Sequence, residues 1–208
     1  MRKDTLATRK RIIDAAERLF AEKGVEATSL LDIARAAEQK NRSALQYHFN
    51  NKEGLLHAVL DKHAIPITEA RNAYLDKLEA AEAYSLYQLV ESLVAPLAAQ
   101  LDNADGGTQF IKIHSELMSS EQFRHLRQQR DKDLVDVQRM QSMAQSFVDS
   151  KSDPDALRAR GILIGCLLIH GLATYLPQQH LLPRDVFLHT LIQGIVDLIQ
   201  QSPADDLD

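Results

Sequence analysis

The chain has 208 residues, 45% hydrophobic and 25% charged, with 8 Gly, 6 Pro and no Trp, which excludes collagen-like, low-complexity and wholly disordered chains. Its single cysteine, Cys166, excludes an intramolecular disulfide and any zinc site built on two thiolates, and fits a reducing cytosol. The net charge of −5 is uneven: residues 1–62 carry +3 and residues 63–208 carry −8, as expected of a small module for an anionic partner on an acidic body.

The elements read as helix almost throughout. Ile12, Ile13, Ala16, Leu19 and Phe20 fall on one face of a helix from about Thr8 to Lys23, with Gly24 placed to end it. Arg2, Lys3 and Arg9 precede or open that helix as a basic arm. Thr28 and Ser29 offer N-caps, and Ser29 with Asp32 has capping-box spacing. Leu30, Ile33, Ala34 and Ala37 make the apolar face of a short second helix. After a polar break, Ser43 to Phe49 forms a third, and Asn50-Asn51 caps a longer fourth helix from Lys52 into the seventies, bent or interrupted at Pro66.

Ser85 to Leu101 follows, with a kink expected at Pro96, then a loop over Asp102–Gly107 and helices over Thr108–Met118 and Gln122–Val148. Ser152-Asp153-Pro154 is a strong helix start, with Pro in the first turn. It leads into Gly161–Leu176, an apolar run of 16 residues containing His170 and short of the roughly 18 to 20 that span a bilayer. Pro183 opens the last helix, from about Arg184 to Gln201. The N-terminus lacks the apolar core of a secretory signal. The expectation is a cytoplasmic all-α protein, away from any membrane. It divides into a three-helix module over 1–52, a larger helical body over 53–202 and a frayed tail over 203–208.

A short helix, a turn and a second short helix behind a basic amphipathic helix make a helix-turn-helix. The first of the pair crosses the DNA backbone and the second enters a major groove about 12 Å wide. Ala44, Leu45 and Phe49 face inward on this reading, leaving Arg42, Ser43, Gln46 and Tyr47 outside. Gln can pair with adenine in bidentate fashion, and Arg with guanine.

The ordered set Arg11-Ile-Ile-Asp-Ala-Ala-Glu-Arg-Leu-Phe20, Gly24, Thr28-Ser-Leu30, Asp32-Ile-Ala34, Tyr47-His-Phe49 and Lys52-Glu-Gly-Leu55-Leu56 resembles the DNA-binding domain of the tetracycline-repressor (TetR) family over residues 8–60. The resemblance implies a homodimeric repressor with a DNA-reading head and a variable ligand-binding body. By resemblance, Tyr47 and Lys52 contact phosphates, Thr28 adds another such contact while capping the second helix, and His48 supports the backbone contact. Arg42, Ser43 and Gln46 are the candidates for base edges. Two departures stand out. The spacing from Ile33-Ala34 to His48-Phe49 has one residue more than the commonest family pattern, with Glu38 or Gln39 where the turn glycine usually stands. Gln46 occupies a position often aromatic.

The resemblance also places dimerisation on the last two helices, where Ile162, Cys166, Ile169, Leu188, Leu191, Ile195 and Leu198 form broad apolar stripes; an intramolecular core is the competing reading. An effector pocket is expected among the middle helices, with Phe110, His114, Met118, Met140, Met143, Phe147, His170 and Tyr175 as candidates against a plain core role. Arg124, Arg127 and Arg130 read as a solvated helix face. No metal site or cofactor is expected, and no phosphate-binding glycine loop, HExxH or G-x-S-x-G motif points to catalysis. The expected partners are operator DNA, a second copy of the chain and a small-molecule effector. The competing class is a helical adaptor whose head no longer binds DNA.

Overall fold

The computed structural model describes residues 2–39, 43–123, 125–126, 129–130, 135–148 and 153–201, without the side chains of residues 2–4, 43 and 44. Arg42, the Ser43 and Ala44 side chains, Arg124, Arg127 and the tail 203–208 therefore lie outside the described residues. The described elements are helical: α1 Arg2–Lys23, α2 Leu30–Ala36, α3 Ser43–Phe49, α4 Lys52–Ala80, α5 Leu86–Ala98, α6 Gly107–Ser119, α7 Val135–Ala144, α8 Pro154–Tyr175 and α9 Arg184–Gln200.

Local chemistry sets many of the boundaries. Gly24 follows α1 at φ +89, a conformation that costs a residue with a Cβ about 1–2 kcal/mol. Ser29 caps α2: its hydroxyl accepts from the Asp32 backbone N–H at 3.1 Å, and the Asp32 carboxylate accepts from the Ser29 N–H at 3.3 Å. The Ser29 hydroxyl also donates to the Asp32 carboxylate at 2.6 Å, and this bond, followed by that from the Ser29 N–H, holds the Asp32 pKa below its ordinary value. Ser85 and Gln88 repeat the box at α5. Asp153 caps α8 with Pro154 in its first turn, as the sequence indicates.

Several elements differ from the sequence reading. The α1 backbone is helical from Arg2, so the basic residues 2, 3 and 9 belong to a helix rather than an extended arm. α4 continues through Pro66 to Ala80. Of the single helix expected over Gln122–Val148, the described residues give a 3-10 turn at Glu121–Phe123, helical residues at 125–126 and 129–130, α7, and a second 3-10 turn at Gln145–Phe147. Pro154–Gln178 forms a helical stretch of 25 residues, long and apolar enough to cross a membrane by length and composition alone; the apolar run within it had read as too short.

The chain resolves into two compact units, and the boundary falls inside α4. One comprises Met1–Pro66 with Gln100–Ser120, the other Ile67–Ala99 with Glu121–Asp208. In the first, α1 packs on α2 and α6 around Ile12, Phe20, Ile33, Leu55 and Ile113, each fully buried. Burial of such a side chain is worth about 1.5–3 kcal/mol. In the second, α9 packs on α5 and α8, and α5 packs on α7, with Leu89, Val94, Leu172 and Ile195 at the centre.

Candidate nucleic-acid interface

α3 has a covered side and an open side. Leu45 and Phe49 are buried against the first unit's core, while Gln46 is exposed and Tyr47 is 81% exposed. His48 is half-buried, its ring 5.2 Å from Tyr47 in an edge arrangement and 5.9 Å from Phe49. The Arg9 guanidinium lies over the outer face of Phe49 at 5.3 Å, a cation–π contact that ties α1 to α3.

The turn between α2 and α3 places Glu38 at φ +54. A left-handed residue is thus required where the sequence lacks the usual glycine, and a glutamate bears the steric cost. After α3, Asn50 turns at φ 62 and the Asn51 side chain accepts from the Gly54 N–H at 2.8 Å, capping α4. Gly54 has no alternative: a Cβ there would sit 2.1 Å from the Phe49 carbonyl oxygen. Lys52 opens α4 and donates to the Glu26 carbonyl at 2.9 Å, pinning the α1–α2 turn. Burial lowers its pKa, with the charges of Glu26 and Glu116 opposing.

Thr28 is placed differently from the sequence reading. It is buried, and its hydroxyl donates to the carbonyls of Gly24 at 2.7 Å and Leu19 at 3.2 Å. The cap of α2 is Ser29, and the Thr28 proton is committed to the end of α1, so it is not free to meet a phosphate. Gln46, Tyr47, His48 and Lys52 remain together around α3 and the start of α4.

Beneath this surface lies a polar network that the sequence pattern does not signal. Glu17, His63 and Gln100 are all buried. One His63 ring nitrogen meets the Glu17 carboxylate at 2.5 Å, and the other meets Gln100 Oε1 at 2.8 Å. Asn103 Nδ2 also donates to Gln100 Oε1, at 3.0 Å, which identifies that atom as the amide oxygen. Lys62 reaches Glu17 at 2.7 Å, Asp105 at 3.1 Å and Asp14 at 3.2 Å. Burial acts to lower the Lys62 pKa, but these carboxylates hold it above its ordinary value. From α6, Glu116 accepts the Val25 N–H at 2.8 Å. The Phe110 ring stacks on His63 at 4.9 Å. α6, expected in the body, is thus bound to the helix-turn-helix unit.

The remaining candidates divide between the units. Phe110, His114 and Met118 belong to α6 in the first; Met140, Met143, Phe147, His170 and Tyr175 belong to the second. Phe110 and Tyr175 are buried, Tyr175 stacking on Phe187 at 4.2 Å. His170 and Tyr175 share an open apolar groove of about 530 Å³ with Leu163, Cys166 and Phe187.

On the last two helices, Ile169, Leu191 and Ile195 are already buried within the chain. They form the intramolecular core and offer no free face to a second copy. Cys166, Leu188 and Leu198 are half-buried, and Ile162 is 67% exposed. Leu163 and Leu167, on the same stripe of α8, and Val186 on α9 are also exposed.

A basic amphipathic helix, a boxed short helix and a third helix with a buried apolar side and an open polar side define a helix-turn-helix DNA-binding domain. Residues 12–59 match the family described as "Bacterial regulatory proteins, tetR family". The HTH-type transcriptional regulator TtgR of Pseudomonas putida is 52% identical over 54 residues, 26% of this chain and 25% of its own length. The HTH-type transcriptional repressor ComR of Escherichia coli is 36% identical over 94 residues, 44% of this chain and 39% of its own. The chain thus spans between a quarter and two fifths of the length of these curated relatives. Among solved structures, NalD of Pseudomonas aeruginosa, described as the secondary repressor of the MexAB-OprM multidrug efflux pump, superposes with a TM-score of 0.62 at 25% identity. That match covers 96% of this chain and 98% of NalD.

Proposed function

We propose that the chain is a cytoplasmic homodimeric repressor that binds a near-palindromic operator and is released by a small-molecule effector held in its helical body. The observation that carries the reading is α3 itself: Gln46 and Tyr47 stand exposed over buried Leu45 and Phe49, the side-chain division that a helix entering a major groove needs. Gln46, with Arg42 and Ser43, reads base edges. Tyr47 and Lys52 contact phosphates, and His48 supports Tyr47.

Two such heads bind half-sites spaced by about one 10-bp turn or a multiple of it. Exposed Ile162, Leu163, Leu167 and Val186 support pairing of two copies through α8 and α9, because apolar side chains clustered on a helix surface gain most when a partner covers them. An effector with higher affinity for the state whose heads are wrongly spaced releases DNA by linkage.

Binding of variants to a selected duplex tests the roles. Gln46→Ala costs about 1–3 kcal/mol and relaxes the base preference at one position of each half-site. Lys52→Ala weakens binding to all sequences alike and lowers the salt slope by about one. An unchanged salt slope in Lys52→Ala removes Lys52 from the phosphate contacts.

A further inference from the structure

In the second unit, Arg71 of α4 and Asp136 of α7 form a buried ion pair, Arg71 Nη1 donating to Asp136 Oδ2. Neither group is satisfied. Arg71 Nε and Asp136 Oδ1 are both buried and have no hydrogen-bond partner among the described residues. A buried pair repays its desolvation only when its remaining donors and acceptors are also met, so two orphaned atoms on one pair mark a place for a further group.

The chemistry of that group follows from the atoms. Arg71 Nε–H requires an acceptor and Asp136 Oδ1 a donor. The pair is neutral as a whole, so an anion meets the carboxylate and a cation meets the guanidinium, each at a cost. The buried positions that follow Asp136 along α7 are apolar. Asp136, Met140 and Ala144 are the buried residues of α7 and, spaced by four, lie on one face. Methionine adapts its shape to an inserted ring more readily than a branched side chain does.

We infer that the Arg71–Asp136 pair is the polar anchor of a ligand site in the second unit, taking a neutral, mostly apolar molecule that presents an adjacent donor and acceptor, such as a carboxamide or a hydroxyl on an aromatic ring. The inference rests on the proposed effector response and specifies which effectors the body accepts.

Four probes of matched shape test it on the full chain: benzamide, toluene, benzoate and benzylammonium, titrated by ligand-observed NMR and by thermal shift. Benzamide is expected to bind saturably and about tenfold or more tighter than the other three. In Arg71→Met/Asp136→Leu, which removes both charges together and leaves no lone buried ion, the preference passes to toluene. The ranking on the unaltered chain stands even if the double variant folds poorly, as circular dichroism reports. Equal binding of benzamide and toluene, or a benzamide preference that survives in the folded double variant, overturns the assignment and leaves the two atoms to a trapped water. Binding to a selected duplex, measured on the same preparation without probe, reports separately on the repressor reading.

Discussion

Replacing Glu17 by alanine is the sharpest test of what holds the DNA-reading unit together. Glu17 is 3% exposed and His63 1%, and they meet at 2.5 Å with Gln100 on the far side of the ring. Removing the carboxylate leaves a buried ring nitrogen without its hydrogen-bond partner, a loss of about 1–3 kcal/mol. Lys62 adds little, since it retains Asp14 and Asp105 at a partly exposed site; its share is under about 1 kcal/mol. The expected shift is about 6 °C in the melting midpoint, at the roughly 2–4 °C per kcal/mol usual for a chain of this size.

Thermal unfolding followed by far-ultraviolet circular dichroism measures it, with Arg18→Ala as the control. Arg18 pairs with Glu22 at the surface, so its loss stays within about 0.5 kcal/mol. Glu17→Leu/His63→Leu should recover most of the stability, because an apolar pair of similar volume leaves nothing unsatisfied. A Glu17→Ala variant no less stable than Arg18→Ala would refute the reasoning.

Other perturbations follow from the same geometry. Gly106→Ala places a Cβ 2.0 Å from Glu17 Oε2 at φ +91, so it should destabilise by more than the ~1–2 kcal/mol of left-handed strain alone, read by the same unfolding curve. Glu38→Gly relieves that kind of strain at φ +54 and should stabilise slightly, by about 0.5 kcal/mol once the added freedom of glycine in the unfolded chain is subtracted. The Asp105 pKa is held below its ordinary 3.8, first by the hydrogen bond from Lys62. A lowered pKa contributes stability that is present above 3.8 and lost as the pH falls through the folded-state value, and Asp105→Asn should lack that acid-dependent loss in melts below pH 4. Ile162→Glu puts a charge on the open apolar face of α8 and should yield monomers in sedimentation; an unaltered dimer places the interface elsewhere.

Much of the helix-turn-helix was legible because its signals are local. The apolar spacing of Ile12, Ala16, Leu19 and Phe20 reports a helix face directly, and all four prove buried. Gly24, the Ser29–Asp32 box and Asp153-Pro154 state their boundaries within three residues. Thr28 and Ser29 were indistinguishable on that basis, since both carry a capping hydroxyl; only the path of the chain back toward Gly24 commits Thr28 to α1.

Pairings across long separations left no periodic trace. Glu17 with His63, 46 residues apart, ties α1 to α4, and Val25 with Glu116, 91 apart, ties α6 to the first unit, yet each residue in isolation reads as ordinary surface chemistry. The interface stripe is ambiguous for a related reason. Helical spacing identifies Ile169, Leu191 and Ile195 as apolar, but not whether a neighbouring helix or a second subunit covers them.

The most direct test of the regulator reading is selection of bound sequences from a random duplex library by the purified full chain, followed by binding to the winner at two salt concentrations. The account predicts a two-fold-symmetric consensus, with half-sites about one 10-bp turn or a multiple apart and an affinity that falls steeply with salt. A folded, dimeric chain that enriches no sequence would contradict it.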